Sequence, residues 1–413
     1  MRSIFALVMI CGCLFPLMAA GWKSQGEIAY EARGFTDDHI DSTEDWNQGV
    51  FARLDTSWRK GPWRMSLRGF GRVDSEDDSR NIAALEEAWV GFRKRGWEAI
   101  LGFQMVNWTA TEAFHPADVV NSRNLDSDLE RPEKLGELML SVRRRIADGG
   151  LTLYYLPRFE EPRLPEASNR LSFAPPGTSI GDALWLDDDG SLSGSNSGSQ
   201  WGFRFTQTLG DADISVHYLD HMDRLNPAFQ LDFLAGEVVP VYQRVEDFGA
   251  TWLQIFGALI VKVEYAYKDF ADQTGALAAL QQVDHQAGAF GFEYSWTGGA
   301  GWETTLLLEG QSILDTSEEE RYALSAFQRD ILVGWRHSWN DVMGRQLLAT
   351  FIFDTERSNE YLFNASYEQR LSDTWKIRGG VRYIDAAPKD VFPIGLENLD
   401  EDNQVFLTVS RFF

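Results

Sequence analysis

The chain has 413 residues, 62 acidic against 38 basic side chains for a formal net charge of −24, and two cysteines, Cys11 and Cys13. So acidic a chain excludes nucleic acid as a partner, because binding phosphates requires a basic face. Both cysteines precede residue 15, so the body of the chain holds no disulfide scaffold, thiolate metal centre or cysteine nucleophile.

Residues 4–18 form an apolar stretch behind Arg2 and end at Ala19, Ala20 and Gly21. This is the pattern of a secretory signal peptide cleaved near Ala20. It divides the chain into a leader, residues 1–20, and one exported domain, residues 21–413. A lipoprotein signal on Cys13 is the rival reading, but the apolar run continues past it to Met18. No later stretch is long and apolar enough for a transmembrane helix.

Beyond the leader, period-two alternation runs nearly throughout. In residues 50–59, Val50, Ala52, Leu54, Thr56 and Trp58 share one face, and Phe51, Arg53, Asp55, Ser57 and Arg59 the other. After Lys60-Gly61-Pro62, the next segment sets Trp63, Met65, Leu67, Gly69 and Val73 against Arg64, Ser66, Arg68, Phe70 and Arg72. A strand puts those arginines in one file, whereas a helix would scatter them. The pattern predicts strands at 26–35, 47–59, 63–73, 86–93, 97–106, 137–145, 151–156, 200–208, 213–219, 247–255, 258–268, 286–296, 302–311, 329–339, 345–354, 361–370, 374–384 and 403–413. Short turns alternate with long polar segments, among them 107–135, 157–199, 220–246 and 312–328. The fold expected is all-β: an up-and-down antiparallel transmembrane barrel of eighteen strands, with sixteen the next count. Its short turns face the periplasm and its long loops the exterior.

Tryptophans supply a second signal. Trp58, Trp63, Trp97, Trp296, Trp302, Trp339 and Trp375 all flank short turns and all fall on the apolar face. That is an aromatic girdle at the periplasmic interface, where amphipathic rings settle. A soluble sandwich has no reason to sort tryptophans to one end.

The chain ends Gln404-Val405-Phe406-Leu407-Thr408-Val409-Ser410-Arg411-Phe412-Phe413. A terminal phenylalanine behind alternating apolar residues resembles the C-terminal signature of Gram-negative outer-membrane β-barrels. The resemblance implies that Phe413 is a signal read by the barrel assembly machinery. Arg411 replaces the aromatic residue usual third from the end. A local likeness, Gly102-x-Gln104-x-Val106-x-Trp108 followed by Phe114-x-Pro116-x-Asp118-Val119-Val120-Asn121, is similar to a segment of uncharacterised porin-like barrels of Proteobacteria.

Parity assigns the lumen. Arg33, Arg53, Arg59, Arg64, Arg68 and Arg72 on the first three strands and Lys376, Arg378 and Arg382 on the seventeenth face inward, so closure gathers nine cations on one wall. Glu293, Glu303 and Glu309 form an acidic side well around the circumference. The wall reads either as a pathway for small anions such as carboxylates or as cations that pair with Glu31, Asp55, Glu87 and Glu98 to brace the barrel. The Arg64, Arg68, Arg72 run has no acid on its own strand, which favours the pathway. Leu307, Leu332, Leu348, Ile352, Leu362 and Ile384 also face inward and call for an occupant, either a folded-in loop or an apolar solute. Segments 107–135 and 157–199 are both long enough to fold in.

Acidic clusters at 37–45, 76–78, 187–189, 318–320 and 400–402 lie in external loops. They read as a solvated rim, or as carboxylates bridged by calcium or magnesium to lipopolysaccharide. His217 faces inward and His221 lies near Asp220 and Asp223, but no nucleophile stands at a catalytic spacing from either. Without a phosphate-binding glycine loop or a helical zinc pair, no enzyme, cofactor or metal is expected. The reading is therefore an outer-membrane porin for small hydrophilic, anionic solutes. Transport of an apolar or lipid-like molecule with a periplasmic partner is the alternative, and a barrel enzyme or surface structural barrel comes third. Lipid contact and a homo-oligomeric interface look alike on the outer face.

Overall fold

The computed structural model describes residues 21–36, 45–127, 132–166, 169–172, 174, 177–194, 198–273, 280, 282–299, 301–357, 360–386, 396–400 and 402–413. The expected leader, and Asp37, Asp38, Asp41, Glu44 and Glu401 of the acidic rim, lie outside the described residues.

Eighteen strands form one antiparallel barrel. They are β1 (Trp22–Phe35), β2 (Trp46–Lys60), β3 (Trp63–Asp74), β4 (Ile82–Lys94), β5 (Trp97–Gln104), β6 (Glu137–Ile146), β7 (Gly149–Leu156), β8 (Gln200–Leu209) and β9 (Ala212–Met222). They continue as β10 (Glu237–Phe256), β11 (Leu259–Phe270), β12 (His285–Thr297), β13 (Glu303–Leu314), β14 (Asp330–Ser338), β15 (Gln346–Asp354), β16 (Tyr361–Arg370), β17 (Trp375–Asp385) and β18 (Gln404–Phe412). Each pairs with its sequence neighbour, and β18 closes on β1 from Glu27 opposite Phe412 to Phe35 opposite Gln404. Closure leaves no strand edge, the condition for a sheet to cross lipid. Short turns need a left-handed residue to match strand twist, and Gly257 supplies it between β10 and β11 at φ +64°.

The eighteen expected strands are all present, with one substantial difference. Segment 220–246 is not a loop throughout, because β10 begins at Glu237 rather than 247. Its first residues form a small sheet with Ala228–Asp232 (antiparallel) and with Ser179–Ile180 and Leu184–Leu186 (parallel). Pro240 makes that stretch read as a breaker, yet it sits outside the barrel ladder opposite Phe229. Segment 312–328 carries one helix, α1 (Glu318–Leu324), started by a capping box between Ser317 and Glu320.

The outer face is apolar: Leu101 and Val405 are 62% and 58% exposed, whereas inward Ala29 and Phe51 are 2% and 7%. Trp63, Trp97, Trp296 and Trp375 are exposed at the periplasmic end. Trp58 packs on Trp22, and Trp302 and Trp339 flank His337. Arg411, in the place of the usual aromatic, lies over the ring of Trp375. Trp46, Trp201, Tyr30 and Tyr155 form an exposed belt at the opposite end. Phe413 extends the closing ladder by bonding to both backbone groups of Gly26, and its ring fills the space a side chain there would need.

A closed barrel of this kind resists detergent until heated. Unboiled protein should migrate differently from boiled protein on a denaturing gel, and identical migration would contradict the closed barrel.

Candidate functional site: the lumen and its inward loop

Between β5 and β6, residues 105–127 enter the barrel and reach the far wall, where Glu112 and Ala113 meet β13. Phe114, 5% exposed, packs with Leu307, Leu332, Ile352, Leu362 and Ile384, and Leu348 borders the same cluster. These are the six inward apolar residues that called for an occupant, and Phe114 shares that role with Leu396 and Leu399 from the segment between β17 and β18 and with Leu171 and Phe327 at the border. Burying one phenylalanine contributes roughly 1.5–3 kcal/mol. A second cluster, Trp108, Val119 and Val120 against Met139, Leu156 and Leu219, holds the near side of the loop to β6, β7 and β9.

Polar clamps fix the crossing. The buried Glu264 carboxylate on β11 accepts from the amides of Ala110, Thr111 (2.9 Å) and Ala117 (3.3 Å) and from the Thr111 hydroxyl at 2.6 Å. Glu309 on β13 accepts from the amides of Glu112 (2.6 Å) and Ala113 (2.8 Å). Lys262 on β11 pairs with Glu112 at 2.8 Å and with Glu293. These carboxylates therefore receive backbone donors that would otherwise be buried unpaired, at about 1–3 kcal/mol each.

The local motif proves to be this loop's internal framework. Gly102 takes φ +131°, and a Cβ there would lie 2.2 Å from the Ala88 carbonyl oxygen. Gln104 donates to the Met139 carbonyl at 2.9 Å and accepts from Ser141 at 2.7 Å. Asp118 accepts the Trp108 amide at 3.1 Å and pairs with Arg123 and Lys134 at 2.5 and 2.6 Å. Asn121 accepts from the Val106 amide at 2.8 Å and donates to the carbonyls of Gln104 and Leu135. Burial alone would raise the Asp118 pKa, but Arg123 and Lys134 outweigh it and hold the carboxyl below its ordinary value.

Next to the Phe114 cluster the lumen stays hollow. A chamber of about 690 Å³ is lined by Arg53, Arg72, Lys376 and Arg378 together with Glu27, Glu31, Glu133 and Glu368. Four of the nine expected cations thus share one space. The arginine run on β3 is ion-paired across strands: Arg64 to Glu98, Arg68 to Glu86 and Glu87 (both 3.3 Å), and Arg72 to Glu31 (3.0 Å) and Glu133 (2.8 Å). Arg53 reaches Glu86 at 3.2 Å and Lys376 reaches Glu368 at 2.8 Å. Arg382 donates to Gln404 at 2.9 Å, Arg33 stands half-buried on β1, and Arg59 is exposed at the periplasmic end. Arg378 lies over the Phe406 ring and forms no ion pair among the described residues.

The expected acidic side has a different role from a free wall. Glu309 clamps the loop, Glu293 is tied to Lys262 and to Arg336 (3.7 Å), and Glu303 is half-buried at the foot of β13. Glu264 escaped the sequence reading, although parity on β11 aligns it with Lys262 and Lys268 on the inner face. His217 and His221 are sealed: His217 bonds Asp247 at 2.9 Å beneath Trp108, and His221 is 0% exposed beside Arg224. The acidic rim is not uniformly solvated, since Asp402 is buried on Arg170 at 2.8 Å.

No protein-family model and no curated protein matches the chain. Solved structures do. Pseudomonas aeruginosa OccK5 (OpdH) aligns with a TM-score of 0.53 and 13% identity over 95% of this chain and 98% of its own. Pseudomonas aeruginosa OccK3 (OpdO) aligns with a TM-score of 0.50 and 13% identity over 95% and 96%. A variant of the Rh. blastica porin lies further off, with a TM-score of 0.44 and 12% identity over 95% and 100%. The chain shares the closed porin-like barrel fold, and its apolar belt and aromatic girdles place it in the bacterial outer membrane.

Phe114→Ala would leave a cavity worth about 3–5 kcal/mol of loop docking. In a planar bilayer this variant should give larger or noisier conductance steps than wild type; unchanged steps would show that the ring does not hold the loop. Because the Asp118 pKa is lowered in the folded state, its stabilisation is present above the ordinary carboxylate range and lost as pH falls through the lowered value. Conductance noise should rise only in acid, and Asp118→Asn should bring that noise to neutral pH.

Proposed function

We propose that the protein is an outer-membrane diffusion channel for small hydrophilic solutes that carry a carboxylate. One observation supports the reading: the lumen keeps a chamber where Arg53, Arg72, Lys376 and Arg378 stand among Glu27, Glu31, Glu133 and Glu368, and of the four cations only Arg378 has no carboxylate partner among the described residues. The ion pairs fix most of these guanidinium groups in place and cancel much of their charge. Arg378 has no carboxylate partner among the described residues, and Lys376 is about one-third exposed, so these two are best placed to meet a passing anion. Low-dielectric walls focus that field across a narrow space, which orients a solute bearing both charges and favours an anionic end on the β17 side.

Apolar or lipid-like cargo has weaker support, because Phe114 and its neighbours cover the stripe that suggested it. On this reading small solutes are the transient partners and no chemical step is involved. Phe413 belongs to the assembly signal.

A potassium chloride gradient across a planar bilayer tests the ion preference. Wild type should show an anion-selective reversal potential, and the K376A/R378A double variant should lose most of it with the pore still open. A cation-selective wild type, or a double variant with unchanged selectivity, would contradict the proposal.

A further inference from the structure

The lumen chamber continues toward the periplasm. A second hollow of about 740 Å³ adjoins it, lined by Asp55, Arg68, Glu86 and Phe413 among others, and the two share Glu27, Arg53 and Phe412. These three stand in register on β1, β2 and β18, with Glu27 opposite Arg53 on one side and Phe412 on the other. They mark the passage from the chamber to the periplasmic end.

Ion pairing leaves a different sign free at each end of this path. At the passage, Arg53 and Arg68 are held by Glu86 at 3.2 and 3.3 Å, and Arg53 also lies over the rings of Phe51 and Phe70. Glu27 has no ion pair or side-chain hydrogen bond among the described residues, and Asp55 accepts only from the Gln25 amide at 3.3 Å. Both are half-buried and line the hollow, so each keeps a surface open to a solute. In the chamber, Arg378 is exposed and lacks a carboxylate partner among the described residues.

Register places these charges along the pore. Arg378 lies opposite Thr408, and Thr408 lies opposite Glu31. Glu27 precedes Glu31 on β1, roughly 13 Å nearer the periplasm along the strand. A free cation above free carboxylates makes a field along the pore axis, which low-dielectric walls concentrate. A plain anion meets Arg378 and is then repelled at the passage. A molecule with both charges is favoured at both points.

We propose that the solute is a small zwitterion, an ammonium and a carboxylate on a short carbon chain, whose carboxylate meets Arg378 and whose ammonium meets Glu27 and Asp55. The inference rests on the channel reading above and narrows its solute class.

Uptake of labelled solutes into proteoliposomes, corrected for protein-free liposomes, tests it. The probes are 4-aminobutyrate and succinate, in which an ammonium and a carboxylate trade places on a chain of the same length. Wild type should admit 4-aminobutyrate about fivefold faster than succinate. The E27Q/D55N double variant should bring that ratio close to one, whereas E27D keeps the charge and should keep the preference. R378Q should slow both solutes. Heat-dependent gel migration verifies that each variant is still a barrel. Equal entry of the two solutes, faster entry of succinate, or an unchanged ratio in the double variant would overturn the zwitterion assignment and leave the carboxylate channel standing. Entry of neither solute would overturn both.

Discussion

The barrel must cover an apolar stripe on its own inner wall. Leu307, Leu332, Ile352, Leu362 and Ile384 on five successive strands, β13 to β17, would otherwise face water inside a pore, and Phe114 of the inward loop covers them together with Leu396 and Leu399. The rest of the lumen follows from that contact. A loop drawn across the barrel brings backbone amides into a dry interior, and each needs an acceptor. Glu264 and Glu309 are those acceptors, which is why acids on β11 and β13 bind the chain instead of lining a path.

The loop also decides where the open space lies. With the β11–β14 side filled, the remaining chamber borders β1–β3 and β15–β18, where the cations stand. Their ion pairs are compatible with both transport and bracing, because paired guanidinium groups keep fixed directions in a narrow space and hold neighbouring strands together. Arg72 does this most fully, joining β1 through Glu31 and the inward loop through Glu133. The wall is therefore anchored to the loop and not merely opposite it.

Much of this was legible in the sequence, for physical reasons. Period-two alternation gives strands and faces, tryptophans beside short turns give the membrane edge, and inward leucines announce a missing cover. Which segments supply the cover was not legible, because 107–135 and 157–199 are both long and mixed in character; Phe114 of the first enters the cluster, Leu171 of the second borders it, and Leu396 and Leu399 join it from a third. Glu31, Glu87 and Glu98 were legible as bracing acids and do pair with the β3 arginines, but the parts of Glu86 and of Glu133 on the loop were not, because cross-strand register is absent from a single strand's pattern. The early start of β10 was masked by Pro240, which pairs outside the barrel ladder. Glu264 carried a usable signal, an inward acid on a strand of apolar and basic neighbours, but its partners are backbone amides that leave no trace in composition.

The central claim is that the loop crosses the lumen and docks near β11 and β13. The chain's only cysteines precede β1, so a pair of spin labels at Glu112→Cys and Lys262→Cys, with Cys11 and Cys13 replaced by serine, reports that distance without native thiols. The account predicts a single, narrow, short separation, as the 2.8 Å Glu112–Lys262 contact requires. A long or broad distribution, with the label at 112 outside the barrel, would contradict it.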